Sequence, residues 1–369
     1  MKISVNIARI IVGVLFIFSG LVKANDPYGL SYKMLEFFEA WNFHLLDNYT
    51  LAFSVLMNAF EIIAGVAVLL GWRMRLFSWL LLLLIIFFTF LTGYALLSGK
   101  IKTCGCFGDC IPLTAKQSFI KDLVLLALIL LIFAYRNKIK PIFKSSLSVS
   151  MLAIVTALSF GFQWYVMQYL PVKDCLPYKV GNNIVEQMKV PANAVLPVTE
   201  TIFIYEKGGK QYTFTDRFPA DLNTYKFIDR KYRIIKEGSN YLPPIKDFKL
   251  STLSGVDSTA EIIGQTTDYY FFFIKDFDDL TIKDDWYKEF VRIYKAAKAK
   301  NIAVYVVTSQ GDLADKLFNQ ENEKLGVTIY TCDGTEIKTA ARTKPCLMKM
   351  KGEVIDHKWG KAALSTVNP

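Results

Sequence analysis

The stretch "KIKTCGCFGDCIP", residues 100–112, separates two long apolar runs and holds Cys104, Cys106 and Cys110, three of the chain's six cysteines. The side of a membrane that this loop faces sets the topology of everything around it. Working outward, five apolar segments each come near the roughly 20 residues that a helix needs to cross a bilayer. They are Ile3–Val22, Leu51–Trp72, Leu76–Leu97, Phe119–Tyr135 and Leu147–Leu170. The first carries no small-x-small cleavage site in "FIFSGLVKAND" and four more spans follow, so it reads as a retained helix rather than a signal peptide.

Orientation follows from the basic residues. With a cytoplasmic N-terminus, Lys2, Arg9, Arg73, Arg75, Arg136, Lys138, Lys140 and Lys144 gather inside with no acidic residue among them. The outer loops then mix Lys33, Lys100, Lys102 and Lys116 with Asp26, Glu36, Glu39, Asp47 and Asp109. Five spans put the C-terminus on the far side, so the expected topology is N-terminus cytoplasmic and C-terminal domain extracytoplasmic. The chain has 369 residues, 53% of them hydrophobic, and a formal charge of +10. Its mean hydropathy of +0.29 averages an apolar N-terminal half and a charged C-terminal half. The lysines are spread along the chain and flank apolar segments, which excludes a nucleic-acid binder and names the lipid bilayer as the partner of the basic charge.

On this topology all six cysteines share the compartment in which disulfides persist. A bridge between Cys104 and Cys106 would close a tight, strained ring, and strained exposed disulfides are the labile or catalytic kind. Gly105 and Gly108 supply the backbone freedom for such a turn. Lys100 and Lys102 favour a thiolate, and Asp109 opposes it. A zinc cage of Cys104, Cys106, Cys110 and Cys175 competes, but C-x-C followed by x3-C does not make two C-x2–4-C pairs, so no metal is expected. Purely structural bridges are the third possibility, and Cys110–Cys175 is the most attractive because it ties the loop to the start of the soluble half.

Within the spans, Glu61 sits in the middle of the second, with Asn58 three residues earlier on the same helical face. A carboxyl at that depth is either a proton or ligand site facing a cavity, or a protonated acid bonded to a neighbouring helix. Gly65 continues the face and permits close helix approach. Arg9 reaches the inner interface by snorkelling, and Lys121 and Asp122 mark the start of the fourth span.

The stretches "RIIVGVLFIFSGLVKANDPYGLSYKMLEFFE", "NAFEIIAGVAVLLGW" and "CGCFGD" resemble the DoxX/MauE group of small bacterial membrane proteins, over roughly residues 5–135. The resemblance implies a four-helix transmembrane domain over residues 1–140, with residues 141–170 as an added fifth span, in a bacterial inner membrane. It also implies a role in forming disulfides in a partner enzyme, beside a thioredoxin-like partner. In that pattern a small residue often holds the place of Cys110 and an apolar one that of Cys175. Departure at both places together is what a private crosslink would produce.

Residues 171–240 read as a small β-containing linker module, with a hairpin at the Lys-Gly-Gly-Lys of "ETIFIYEKGGKQYTFT". Residues 241–369 alternate strand and helix, with "YYFFFI" and "IAVYVVTS" as buried strands and "WYKEFVRIYKAAKAKN" as an amphipathic helix. That order argues for a mixed α/β sheet. The segment resembles the thioredoxin superfamily, most clearly at "ARTKPCLMKMKGEVIDHKWG". The resemblance implies a cis-proline at Pro345 and a turn at Gly352. Where that family carries C-x-x-C, this chain reads "FFFIKDFDDLTIKDDWYKEF", with no cysteine and five aspartates. Cys332 and Cys346, expected at the same end of the sheet, are candidates for a structural bridge, a displaced redox pair or two buried thiols. The only histidines are His44 and His357, and no Ser-His-Asp set, H-E-x-x-H or phosphate-binding glycine loop is present.

Two functions follow. One is a membrane thiol-disulfide redox component that takes electrons from an extracytoplasmic client protein through a catalytic Cys104/Cys106 pair and passes them to a quinone in the bundle. The other is a non-catalytic anchor whose thioredoxin-like domain binds a client. A small-molecule carrier has only Asn58 and Glu61 in its favour, and no broken-helix repeat is visible.

Overall fold

The computed structural model describes residues 2–101, 105, 107–236, 238, 241–277 and 285–369, with Lys2 described by its backbone alone. Among the described residues, five helices are long and apolar enough to cross a membrane. They are α1 (Lys2–Ala24), α3 (Thr50–Leu70), α4 (Met74–Ser98), α5 (Ala115–Ala134) and α6 (Ser145–Tyr169). The helix α2 (Pro27–Ala40) lies between the first two spans. It starts where Asp26 caps the Gly29 N–H and Pro27 takes a position that needs no donor. α5 starts on a capping box between Thr114 and Gln117.

The bundle closes on small residues. A Cβ at Gly65 would fall 2.7 Å from the Gly13 carbonyl oxygen, so α1 and α3 touch backbone to backbone at that crossing. Around it Ala8, Val12, Ala64, Ala67, Leu81, Ile85, Ile129 and Ile132 are buried. Leu83, Phe90, Val124, Leu158 and Trp164 point outward, as lipid-facing side chains should. α1 and α4 end, and α3 and α5 begin, on the side of the cysteine loop. The chain leaves α6 on that side too. Arg73, Arg75, Arg136 and Lys138 lie at the opposite end, which is the segregation the basic residues led one to expect.

After α6 the chain enters the core of the C-terminal sheet first. Tyr178 and Ile184, the latter opening the short helix α7 (Ile184–Gln187), are buried there. A separate antiparallel sheet follows, β1 (Val198–Lys207), β2 (Lys210–Phe214) and β3 (Lys226–Lys236), in the order β2-β1-β3. Gly208 and Gly209 form the two-residue β1–β2 turn with φ of 60° and 74°, the pair of positive values that a tight hairpin needs.

The larger sheet contains β4 (Asp268–Ile274), β5 (Ala303–Thr308), β6 (Thr328–Thr331), β7 (Cys346–Lys351) and β8 (Val354–Gly360) in the order β6-β5-β4-β7-β8. β4, β5 and β6 run parallel, and β7 is antiparallel to both β4 and β8. The "YYFFFI" run is buried on both faces. Tyr269, Phe271 and Phe273 pack with Phe248 and Tyr178 on one side. Tyr270, Phe272 and Ile274 pack against Trp286 and Phe290 on the other. Those last two belong to α9 (Asp285–Ala299), which follows the short α8 (Thr259–Ile263). The remaining helices are α10 (Gly311–Asp315) and α11 (Gly334–Ala340). The Lys344–Pro345 peptide is cis, at the position singled out in the sequence.

Of the three readings open for Cys332 and Cys346, the structure has two buried thiols, and the structural bridge is corrected. Cys332 and Cys346 are both buried and unbridged. Cys332 follows β6 and Cys346 opens β7, with β5 and β4 between them, so three strand spacings of about 4.8 Å hold the thiols too far apart for a disulfide.

Candidate functional site

The bundle encloses a cavity of about 530 Å³ between α1, α2, α3, α4 and α5, roofed by the cysteine loop. That size suits a small organic ligand. Its walls are mostly aliphatic and aromatic, including Phe38, Trp41, Met57, Phe60, Phe87 and Phe88. From the loop, Gly105 and Phe107 reach the lining. Gly105 has a φ of +68°, a backbone conformation that strains any residue with a Cβ, and a Cβ there would also come 3.0 Å from Lys33 Cγ and push that side chain aside. The Phe107 ring lies 5.8 Å from that of Phe18, tilted by 55°, and the Lys121 ammonium sits 5.2 Å from the Phe107 ring centre. Cys104 and Cys106 themselves lie outside the described residues.

Against this apolar lining stand two pairs of opposite charge. Lys23, in the last turn of α1, donates to Glu61 Oε1 from mid-α3, and the two side chains are 3% and 1% exposed. The Lys23 ammonium also lies 5.1 Å from the Phe88 ring. Lys121 pairs with Asp122 at 2.6 Å, and Asp122 Oδ2 accepts from Thr92 on α4 at 3.0 Å. All four charged residues line the cavity. Asp122, read from sequence as a span boundary, is instead fully buried. Asn58 does not join Glu61. Its Nδ2 donates to Gln163 on α6 at 3.1 Å, and Gln163 Nε2 donates to the Val55 carbonyl, so Asn58 braces the fifth span. Lys23 escaped the sequence reading because a lysine near a span end looks like an interface anchor. The signal available was its placement one turn after Ser19, on the face of α1 that meets α3.

Above the cavity the C-terminal domain sits directly on the loop. Arg342, just before the cis-proline turn, is 6% exposed and places Nε 2.9 Å from Asp26 Oδ2 and Nη2 2.8 Å from Asp109 Oδ2. Its guanidinium also covers the Tyr32 ring at 5.4 Å. Burial raises the Asp26 pKa, against the pull of Arg342. Cys110, one residue after Asp109, is bonded to Cys175. Asn25 and Lys173 exchange two hydrogen bonds, and Lys358 donates to Asp174 at 2.8 Å. In the soluble domain, burial pushes the Cys332 thiol up to about 12 and the Cys346 thiol up to about 11, so neither is a thiolate at neutral pH. Among the described residues no group of three or more His, Cys, Asp or Glu is placed to hold a metal.

Residues 1–135 match the family model of the methylamine utilisation protein MauE. The match covers the N-terminal part of the chain and, with the five apolar helices, is in keeping with a multi-pass membrane protein. Residues 199–237, which span β1 to β3, match a domain of unknown function, DUF8463. No curated protein and no solved structure matches the chain.

Proposed function

We propose that this protein is a membrane-integral thiol-disulfide redox component whose Cys104/Cys106 pair takes electrons from an extracytoplasmic client and passes them to a quinone-class acceptor in the bundle. The observation that carries the reading is the position of Gly105. The residue between the two cysteines lines an apolar cavity that also holds five buried or half-buried charged residues, Lys23, Lys33, Glu61, Lys121 and Asp122. A disulfide there would stand within reach of a lipophilic acceptor entering from the membrane. A client dithiol reduces the Cys104–Cys106 disulfide by exchange, becoming a disulfide itself. The resulting loop dithiol then closes again, giving two electrons and two protons to the acceptor, which leaves as a quinol.

The C-terminal domain takes the client-binding role in this reading. Its mixed five-stranded sheet and the cis bond at Pro345 are in keeping with a thioredoxin-like fold. With no C-x-x-C and with Cys332 and Cys346 buried apart, the electron-carrying thiols are those of the membrane loop. The loop end of the bundle is then extracytoplasmic and the Arg-rich end cytoplasmic, in a bacterial inner membrane.

The test is a disulfide map of the purified full-length protein across defined redox buffers, followed by quinol formation with a dithiol peptide as donor. Interconversion of Cys104 and Cys106 above about −300 mV, while Cys110–Cys175 persists, is the expected result. A pair that stays free, or bridged and inert throughout, would sink the proposal. The non-catalytic anchor would then stand, favoured by the Cys110–Cys175 bond and the Arg342 contacts that already fix the soluble domain on the bundle.

A further inference from the structure

We infer that the pocket between the α3–α4 and α5–α6 loops, at the end of the bundle opposite the cysteine loop, binds a phosphate group. The pocket has a volume of about 370 Å³, Arg73, Arg75 and Arg136 line it together with Asn137, and no acidic side chain does. Its walls are held by specific bonds. The Ile142 N–H donates to the Leu70 carbonyl at 2.9 Å, which ties one loop to the other. Arg75 Nε donates to Asn137 Oδ1 at 2.8 Å, which fixes that guanidinium by one edge across the gap. Arg136 Nη1 donates to the Phe133 carbonyl at 2.7 Å, and the Arg73 guanidinium rests 5.2 Å from the Trp72 ring. A fourth guanidinium stands behind the wall. A Cβ at Gly71, which lines the pocket, would lie 3.2 Å from Arg9 Nη1, and Arg9 Nε is buried with no hydrogen-bond partner among the described residues.

The start of α4 carries its charge in the unfavourable sense. A helix N-terminus is the positive end of its dipole and favours anions. Here the cap position is Arg73, its side chain makes no capping bond, and the first turn has no acidic residue. Arg75 adds a second cation one turn in. Arg73 also has φ 42° and ψ 46°, a left-handed conformation that glycine or asparagine adopts at lower cost. A missing cap, like charge at a helix end and a left-handed arginine therefore coincide at the mouth of one pocket. A phosphate resolves the first two. Its oxygens accept from the guanidiniums, whose planar fork matches phosphate geometry, and its charge reverses the sign at the helix end. Anchoring in the interface asks for no such convergence, and Lys138 and Lys144 serve it on the same side without lining the pocket. Two sources present this chemistry at the membrane surface, an anionic phospholipid headgroup and a soluble phosphate.

The experiment uses the full chain, purified in detergent and stripped of lipid, with binding of phosphatidylglycerol, phosphatidylcholine and inorganic phosphate read by native mass spectrometry. Wild type should take one phosphatidylglycerol about tenfold or more in preference to phosphatidylcholine, the worth of one charge-assisted hydrogen bond. If millimolar inorganic phosphate leaves that lipid in place, the headgroup is the ligand. If inorganic phosphate displaces it, the source is soluble, and the phosphate site stands in either case. Arg73→Gln/Arg75→Gln should weaken binding by about 10²-fold, one such bond for each arginine. Lys138→Gln/Lys144→Gln removes the same charge from the same side and should stay within about threefold of wild type. Arg136 also serves the Phe133 carbonyl and is left in place. Arg73→Gly separates binding from folding, because glycine takes the left-handed position without strain. It should keep or raise the thermal midpoint of the stripped protein and still lose binding by about tenfold. Equal losses from the arginine and lysine pairs would show diffuse attraction alone and overturn the site. An Arg73→Gly protein that binds like wild type would overturn it too, as would a wild type that binds none of the three or makes no distinction among the lipids.

Discussion

Replacing Arg342 by methionine should open the junction between the soluble domain and the cysteine loop. The guanidinium touches two carboxylates and one aromatic ring, and methionine keeps only apolar bulk over Tyr32. Removing one partner of a buried ion pair costs about 3–5 kcal/mol, because the remaining charge is stranded. The two aspartates do not count equally. Asp109 is 38% exposed and regains water, whereas Asp26 is 14% exposed and does not. The low end therefore applies, about 3 kcal/mol, which is roughly a 10²-fold rise in the open population. The Cys110–Cys175 bond keeps the two parts tethered, so the rest of the fold should be unchanged. Amide hydrogen exchange in nanodiscs, followed by mass spectrometry, reads this directly. Peptides covering residues 26–33 and 338–346 should lose about 10²-fold protection, and peptides from β4 and β5 should not. Arg342→Met/Asp26→Asn removes the stranded charge and should recover most of it. Exchange in the single variant within threefold of wild type would refute the clamp.

Cutting the tether has a separate magnitude. The loop closed between Cys110 and Cys175 spans 65 residues, for which chain-entropy arguments give about 4 kcal/mol; Cys110→Ser/Cys175→Ser should lower the denaturation midpoint, and a midpoint equal to that of the oxidised wild type would contradict it. Cys332 and Cys346, held up at about 12 and about 11 by burial, should resist iodoacetamide at pH 8 in the native protein and react fully once unfolded. Early native labelling of either, mapped by peptide, would show the core to be open. Asp26 and Asp276 should titrate on opposite sides of the ordinary aspartate value of 3.8. Burial holds Asp26 above it, so its contribution to stability is largest below pH 3.8 and is lost as pH rises through the raised value. At Asp276 burial pulls upward, but Lys344 and Lys275 outweigh it, so its contribution is present above 3.8 and lost as pH falls through the lowered value. Carboxyl carbon shifts, followed with pH, would expose an inverted order.

Those predictions divide by how visible their residues were in the sequence. The five spans, the Lys-Gly-Gly-Lys hairpin and the double-sided burial of "YYFFFI" are local patterns, and local patterns survive without knowledge of the fold. Gly65 was legible for the same reason, since a glycine on a polar helical face asks for a close neighbour. The Lys23–Glu61 pair was not, because 38 residues and a helix reversal separate its members. Asp122 was misread because the fourth span begins at Ala115, earlier than its apolar run suggests, after the Thr114 cap. The fate of Cys332 and Cys346 required the strand order, since only the two strands between β6 and β7 exclude a bridge. Arg342 was equally hidden. Its partners lie in the membrane half, more than two hundred residues away.

The distribution of charge across the bundle ties these points together. At one end, Arg73, Arg75, Arg136 and Lys138 stand without acidic partners on their helices, an arrangement suited to a solvated interface. At the other, basic and acidic side chains are paired: Lys23 with Glu61, Lys121 with Asp122, Lys358 with Asp174, and Arg342 with both Asp26 and Asp109. Matching of this kind is required where charges are withdrawn from water, because each unpaired ion would cost several kcal/mol, on the order of the whole domain's stability. Gly105, Phe107 and Asp109 thus lie between two neutralised layers, the Arg342 contacts above and the cavity pairs below. Each cavity pair leaves one buried carboxylate oxygen without a hydrogen bond, Glu61 Oε2 and Asp122 Oδ1, so it is the ion pairing rather than a closed hydrogen-bond set that neutralises them.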